Sequence, residues 1–157
     1  MSKGFTLIEL ITVLMILGII SVFAVPRLSG AEAFSVTGAR DTGLSVARQV
    51  QLRAMQQEDT SAGCNALVIT ASRLGGSVAS ENCKLGEDEN RSDVVDLSNS
   101  SVRISPEQTL YFDLLGRPVD ANNKRLCTTG DCKFTFKQGD STASICLNSE
   151  GFIDACR

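Results

Sequence analysis

Met1–Arg27 reads MSKGFTLIELITVLMILGIISVFAVPR, and this stretch decides the fold. Lys3 and Arg27 bound it, and inside it a single acid, Glu9, interrupts an otherwise uncharged run. From Phe5 to Val25, 21 residues carry no other charge. As a helix rising about 1.5 Å per residue they extend roughly 30 Å, one bilayer core. A carboxylate in hydrocarbon costs about 2.5–3.5 kcal/mol even on the lenient insertion scale, so Glu9 needs a partner. Cutting after Gly4 supplies one, because Phe5 then becomes an amino terminus four residues before Glu9. Within one helix the two groups point apart. In a packed array the ammonium of one copy reaches the Glu9 of its neighbour, and the charges neutralise each other in an apolar setting.

GFTLIEL, with Gly4 before an aromatic and Glu9 fifth after the cut, resembles the type IV prepilin signature. The resemblance implies removal of Met1 to Gly4 by a prepilin peptidase on the cytoplasmic side, methylation of the Phe5 amine, and packing of the apolar helices into a filament core. Two other readings leave Glu9 without a use. An ordinary secretory signal with cleavage after Val22-Phe23-Ala24 would discard the run, which exceeds the usual apolar length of about 7–15 residues. A plain single-pass anchor gives Glu9 no role either.

The chain of 157 residues has room for a membrane helix and one modest domain. Removing Lys3 leaves 14 basic against 18 acidic residues, a balance that disfavours a binder of nucleic acid by bulk charge. All six cysteines follow the helical region and suit three disulfides in an oxidising compartment, so the head is expected outside the cytoplasm. Lys3 ahead of the apolar run favours the same orientation. Fifteen connectivities are open to six cysteines. Local pairing is the expectation: Cys64–Cys83, Cys127–Cys132 and Cys146–Cys156, acting as staples for a small core. No pair has the tight two-residue spacing of zinc ligands and histidine is absent, so neither metal nor cofactor is expected.

Expected segments are a leader over 1–4, a transmembrane and filament-core half-helix over 5–25, an amphipathic half-helix over 26–57 and a disulfide-bonded β-rich head over 58–157. Pro26 removes one backbone hydrogen bond and is expected to kink a continuing helix. Leu44, Ala47, Val50, Ala54 and Met55 recur at helical steps and should face the head. Gly38 and Gly43 weaken helix propensity, and fraying is expected near them. Short apolar runs at Ala66 to Thr70, Val94 to Leu97, Thr109 to Asp113, Lys133 to Lys137 and Ala143 to Leu147 read as strands. The fold expected is α+β and pilin-like, a long amino-terminal helix on an antiparallel sheet, without internal repeats. Glu81, Glu87, Asp88, Glu89, Asp93 and Asp96 read as a solvated acidic loop that lacks the spacing of a calcium loop.

Without histidine, imidazole triads are excluded, and no phosphate loop or metalloprotease motif occurs, so an enzyme is not expected. LYFDLLGRPVD (110–120) reads as a strand entering a turn at Gly116 and Pro118. Together with the ending SICLNSEGFIDAC it resembles the heads of minor pilins and pseudopilins, including minor subunits of the mannose-sensitive haemagglutinin pilus. The expected function is that of a minor type IV pilin priming, capping or joining a pilus and supporting adhesion. Its partners would be other pilins, the prepilin peptidase and the inner-membrane assembly platform. It would cross the inner membrane once, head in the periplasm, before reaching the cell surface. A type II secretion pseudopilin is one alternative. Another is a tip protein binding DNA or a glycan, with Lys124, Arg125, Lys133, Lys137 and Arg157 as a basic patch and Tyr111 as a candidate aromatic.

Overall fold

The computed structural model describes residues 6–28, 30–56, 66–78, 84–86 and 91–156, with side chains in the first helix as far as Ser21. Gly4, Phe5, Cys64, Cys83 and Arg157 lie outside the described residues. The architecture is α+β, with helices at the amino-terminal end followed by antiparallel strands. Helix α1 (Leu7–Leu28) takes Pro26 into its last turn, and α2 (Ala31–Gln56) starts with Phe34 N–H donating to Gly30 O at 3.1 Å. The first helix ends at Leu28 and the second begins at Ala31, and Gly30 between them offers the weakest helix propensity short of proline.

Helix α2 runs unbroken through Gly38 and Gly43, against the expected fraying. The reason is packing at the second glycine: a Cβ on Gly43 would stand 2.8 Å from Phe136 Cζ, so the missing side chain lets the ring seat against the helix. Val36, Ala39, Gly43, Val46, Ala47, Val50 and Ala54 form the buried stripe. Three of the five expected contacts belong to it or border it closely, namely Ala47, Val50 and Ala54, while Leu44 is half-buried and Met55 is exposed.

Two antiparallel sheets cover that stripe, where a single one was expected. The first contains β1 (Ala66–Ile69), β2 (Arg73–Val78), β3 (Lys84–Leu85), β4 (Val94–Asp96), β6 (Gln108–Phe112) and β7 (Pro118–Val119), ordered β3-β2-β1-β6-β7 with β4 also on β2. The second joins β5 (Arg103–Ser105), β8 (Cys132–Gln138), β9 (Ser141–Leu147) and β10 (Ile153–Ala155) in the order β10-β9-β8-β5. Alternation along β8 sends Phe134 and Phe136 into the core and Lys133, Thr135 and Lys137 outward. Leu67, Ile69, Leu74, Leu110, Phe134, Phe136, Ile145 and Leu147 close one apolar core with the α2 stripe.

Three short turns share one construction. In DLLGR (113–117), DANNK (120–124) and NSEGF (148–152), the first side-chain oxygen accepts two backbone N–H groups. Asp113 Oδ1 takes Leu115 and Arg117, Asp120 Oδ1 takes Asn122 and Lys124, and Asn148 Oδ1 takes Glu150 and Phe152, all at 2.8–3.0 Å. The fourth residue is left-handed each time, Gly116 at φ 78°, Asn123 at 61° and Gly151 at 88°, which glycine and asparagine tolerate best. The repeat is in turn geometry and escapes a search for sequence repeats.

Candidate assembly surface

Helix α1 presents apolar side chains on every side. Leu7, Ile8, Leu10, Leu14, Met15, Ile16, Leu17, Ile19 and Ile20 are each more than half exposed, and the least exposed of the run, Ile11, is still 43% accessible. A helix apolar all round is stable in water only when something covers it, another set of helices or a lipid phase. Among the described residues no helix is long and apolar enough to cross a membrane, the described side chains of α1 ending at Ser21.

Glu9 sits in the first turn of α1, exposed, and no side chain among the described residues pairs with its carboxylate. Its backbone N–H donates to Thr6 Oγ1 at 3.3 Å, with Thr6 ahead of the first helical residue. Thr6-x-x-Glu9 is thus a capping box in sequence and position, in which the acid also lies at the positive end of the helix dipole. That placement gives the carboxylate a local role that the sequence reading missed, although the S/T-x-x-E pattern was there to be seen. The cleavage pair Gly4 and Phe5 lies outside the described residues.

Three sets of polar contacts fix the head to α2. Gln51 Nε2 donates to Gly116 O at 2.7 Å and to Gly151 O at 2.6 Å, tying two of the three repeated turns to one side chain. Arg48 Nη2 donates to Ile153 O at 2.8 Å and reaches Asp154. At the end of α2, Arg53 Nη1 and Arg91 Nη2 each stand 2.7 Å from Asp93 Oδ2, and Arg91 Nε lies 2.9 Å from Oδ1. Burial pushes the Asp93 carboxyl up, but the hydrogen bonds and charges of Arg91 and Arg53 outweigh it and hold the group below the ordinary carboxylate range. Asp96 is likewise lowered, first by Ser98 hydrogen bonds and also by the Arg73 charge. Two acids of the expected solvated loop are therefore engaged with arginines, while Glu81, Glu87, Asp88 and Glu89 lie outside the described residues.

Disulfides join Cys127 to Cys132 and Cys146 to Cys156, while the Cys64–Cys83 pairing lies outside the described residues. The four described members of the expected basic patch, Lys124, Arg125, Lys133 and Lys137, are dispersed. Lys133 and Lys137 share the outer face of the second sheet, whereas Arg125 donates to Ser149 O and pairs with Glu150 at 2.7 Å at a turn. Lys124 closes the Asp120 turn, and Tyr111 is half-buried in β6. The cation that does join Lys137 is Arg103, placed opposite it by strand register.

Helix α1 thus offers an exposed apolar surface with one acid in its first turn, and a disulfide-bonded α+β head follows it in the chain. Residues 1–25 match the prokaryotic N-terminal methylation motif, consistent with a type IV prepilin-like protein and pointing to a structural role. No curated protein and no solved structure matches the chain.

Proposed function

We propose that the chain is a structural subunit of a type IV filament, a minor pilin in kind. The observation that supports it most is the exposed, all-round apolar surface of α1 carrying Glu9 as its only described ionisable side chain, inside a segment that matches the methylation motif. A prepilin peptidase cuts between Gly4 and Phe5, the Phe5 amine is methylated, and the segment 5–25 holds the precursor in the inner membrane with the head in the periplasm. On assembly the helix leaves lipid for the filament core, exchanging one apolar surrounding for another, so packing and the Glu9 ion pair with a neighbour's amine decide the register. Cys64–Cys83 completes the disulfide set of the head. The subunit primes or caps the filament or is incorporated along it, and the head, fixed to α2 by Gln51, Arg48 and Arg53, is displayed outward where it serves adhesion.

Intact mass spectrometry of the native protein tests the processing. A chain beginning at methylated Phe5 and lacking six thiol hydrogens is expected. A mature chain starting near Val25 would remove α1 from the product and end the proposal. Glu9→Ala should leave membrane insertion unchanged and lower recovery of the protein in sheared filaments.

A further inference from the structure

The outward face of the second sheet differs in chemistry from the rest of this acidic chain. Register sets Arg103 opposite Lys137, Ser105 opposite Thr135, Thr135 opposite Ser144, and Thr142 opposite Lys137. Directly opposed residues share a face, and the alternate positions Ile104, Phe134, Phe136 and Ile145 are buried beneath them. With Lys133 and Cys146, also opposed, the outward residues of β5, β8 and β9 amount to three cations, four hydroxyls and one disulfide sulfur, with no acid and no aromatic ring. The edge strand β10 adds one acid to this face, Asp154, set opposite Cys146 and 3.5 Å from Arg48, and Asp131 and Asp140 lie beyond the two ends of β8.

Two details give this face the character of a site. Arg103 is held in place, its Nη1 donating to Ser100 O and Val102 O at 2.8 Å each, and Thr135 Oγ1 lies 3.0 Å from Ser144 Oγ. Like charges directly opposite each other destabilise a sheet, so the Arg103–Lys137 pairing costs the free protein stability that an anion lying between them would restore. The structure assigns this face as a binding site for an acidic polysaccharide. The cations take its carboxylate or sulfate groups, and the hydroxyl row, donor and acceptor at once, takes the sugar hydroxyls. A phosphodiester backbone offers acceptors alone, and bases find no aromatic ring to stack on. Lys133 and Lys137 are about 13 Å apart along the strand at roughly 3.3 Å per residue, so an extended polymer can meet both at separate charged groups. The site lies on the head and does not depend on the filament role of α1.

The test uses the full chain in zwitterionic detergent, passed over immobilised alginate, dextran sulfate, neutral dextran and duplex DNA at low salt and then along a salt gradient. Alginate and dextran sulfate should retain it and release it as salt rises. Lys133→Gln and Lys137→Gln should each weaken binding about threefold, the range of one exposed charged contact. Thr135→Val should weaken polysaccharide binding and leave the weaker DNA retention unchanged. Because Lys137→Gln relieves a like-charged pair, its unfolding midpoint should stay level or rise, which separates lost binding from lost fold. The assignment is overturned by no retention on either acidic polymer, by equal retention on neutral dextran, or by variants that bind as the parent does. Tighter retention on DNA that ignores Thr135→Val also overturns it, in favour of nucleic acid.

Discussion

The same substitution, glycine to alanine, should have opposite effects at two positions five residues apart in α2. At Gly38, exposed and with nothing within 4 Å of a built Cβ, alanine brings only its helix preference. That preference is worth about 0.8–1 kcal/mol, so Gly38→Ala should raise stability by about that much, or about 3 °C in Tm for a chain of this size. At Gly43 the same gain meets Phe136 Cζ at 2.8 Å, on a ring that is fully buried between the helix and the second sheet. Forcing a methyl group into a packed core typically costs about 1–3 kcal/mol, so the net change should run from near zero to a loss of about 2 kcal/mol. The difference between the two variants, roughly 1–3 kcal/mol, is free of the shared propensity gain and isolates the contact. Urea unfolding of the full chain in zwitterionic micelles measures it through Tyr111, the single tyrosine of a chain without tryptophan, which reports on the head. If both variants gain stability equally, with unchanged m, α2 does not sit against Phe136 as described and the packing of the second sheet is wrong.

Gln51→Ala removes both hydrogen bonds to the Gly116 and Gly151 carbonyls and should cost about 1–3 kcal/mol, read as faster hydrogen exchange at Gly116 and Gly151 as well as a lower midpoint. Asp93→Asn should destabilise by about 2–3 kcal/mol, less than a fully buried pair because Arg53 is 44% exposed. Since the Asp93 carboxyl is lowered in the folded state, its contribution is complete above the ordinary carboxylate value of about 3.9 and is lost as pH falls through its own lower value. Acid titration of parent and Asp93→Asn should therefore show a constant gap from pH 7 to about 5 that narrows below about pH 4, and a gap that widens on acidification would contradict the Arg53–Asp93–Arg91 account. Glu9→Gln separates charge from helix capping: glutamine keeps both the backbone N–H that donates to Thr6 Oγ1 and the capping-box spacing, but has no charge for a neighbour's amine. Incorporation into sheared filaments should fall as far with Gln as with Ala, and rescue by Gln would reduce Glu9 to a helix cap.

What the sequence makes legible here is whatever local period decides. Alternation in Lys133-Phe134-Thr135-Phe136-Lys137 gives both the strand and its buried face, and the same reading finds β1, β4, β6 and β9. It passes over β2, whose middle is Gly75-Gly76. Those glycines are mid-strand because a Cβ on Gly75 would lie 2.7 Å from Asp93 O and one on Gly76 2.9 Å from Asp93 Oδ2. The space is taken by a residue 18 and 17 positions away, and no local pattern carries that information. The two functional surfaces divide along the same line. The assembly segment is contiguous in sequence, so GFTLIEL and the apolar run are visible at once, and only the Thr6 cap was overlooked. The polar face of the second sheet is assembled from β5, β8 and β9 by register. Lys133 and Lys137 could be paired by their spacing, but Arg103 joins them through a strand 30 residues earlier, while Lys124 and Arg125, adjacent in sequence to neither sheet partner, are drawn into turns. A charge tally of the chain as a whole cannot see such a face. Net charge governs long-range attraction, but at physiological salt fields between exposed groups decay over about 8 Å, so a ligand on the sheet meets the groups beside it, three cations against Asp154 on the same face, far more strongly than charges farther away.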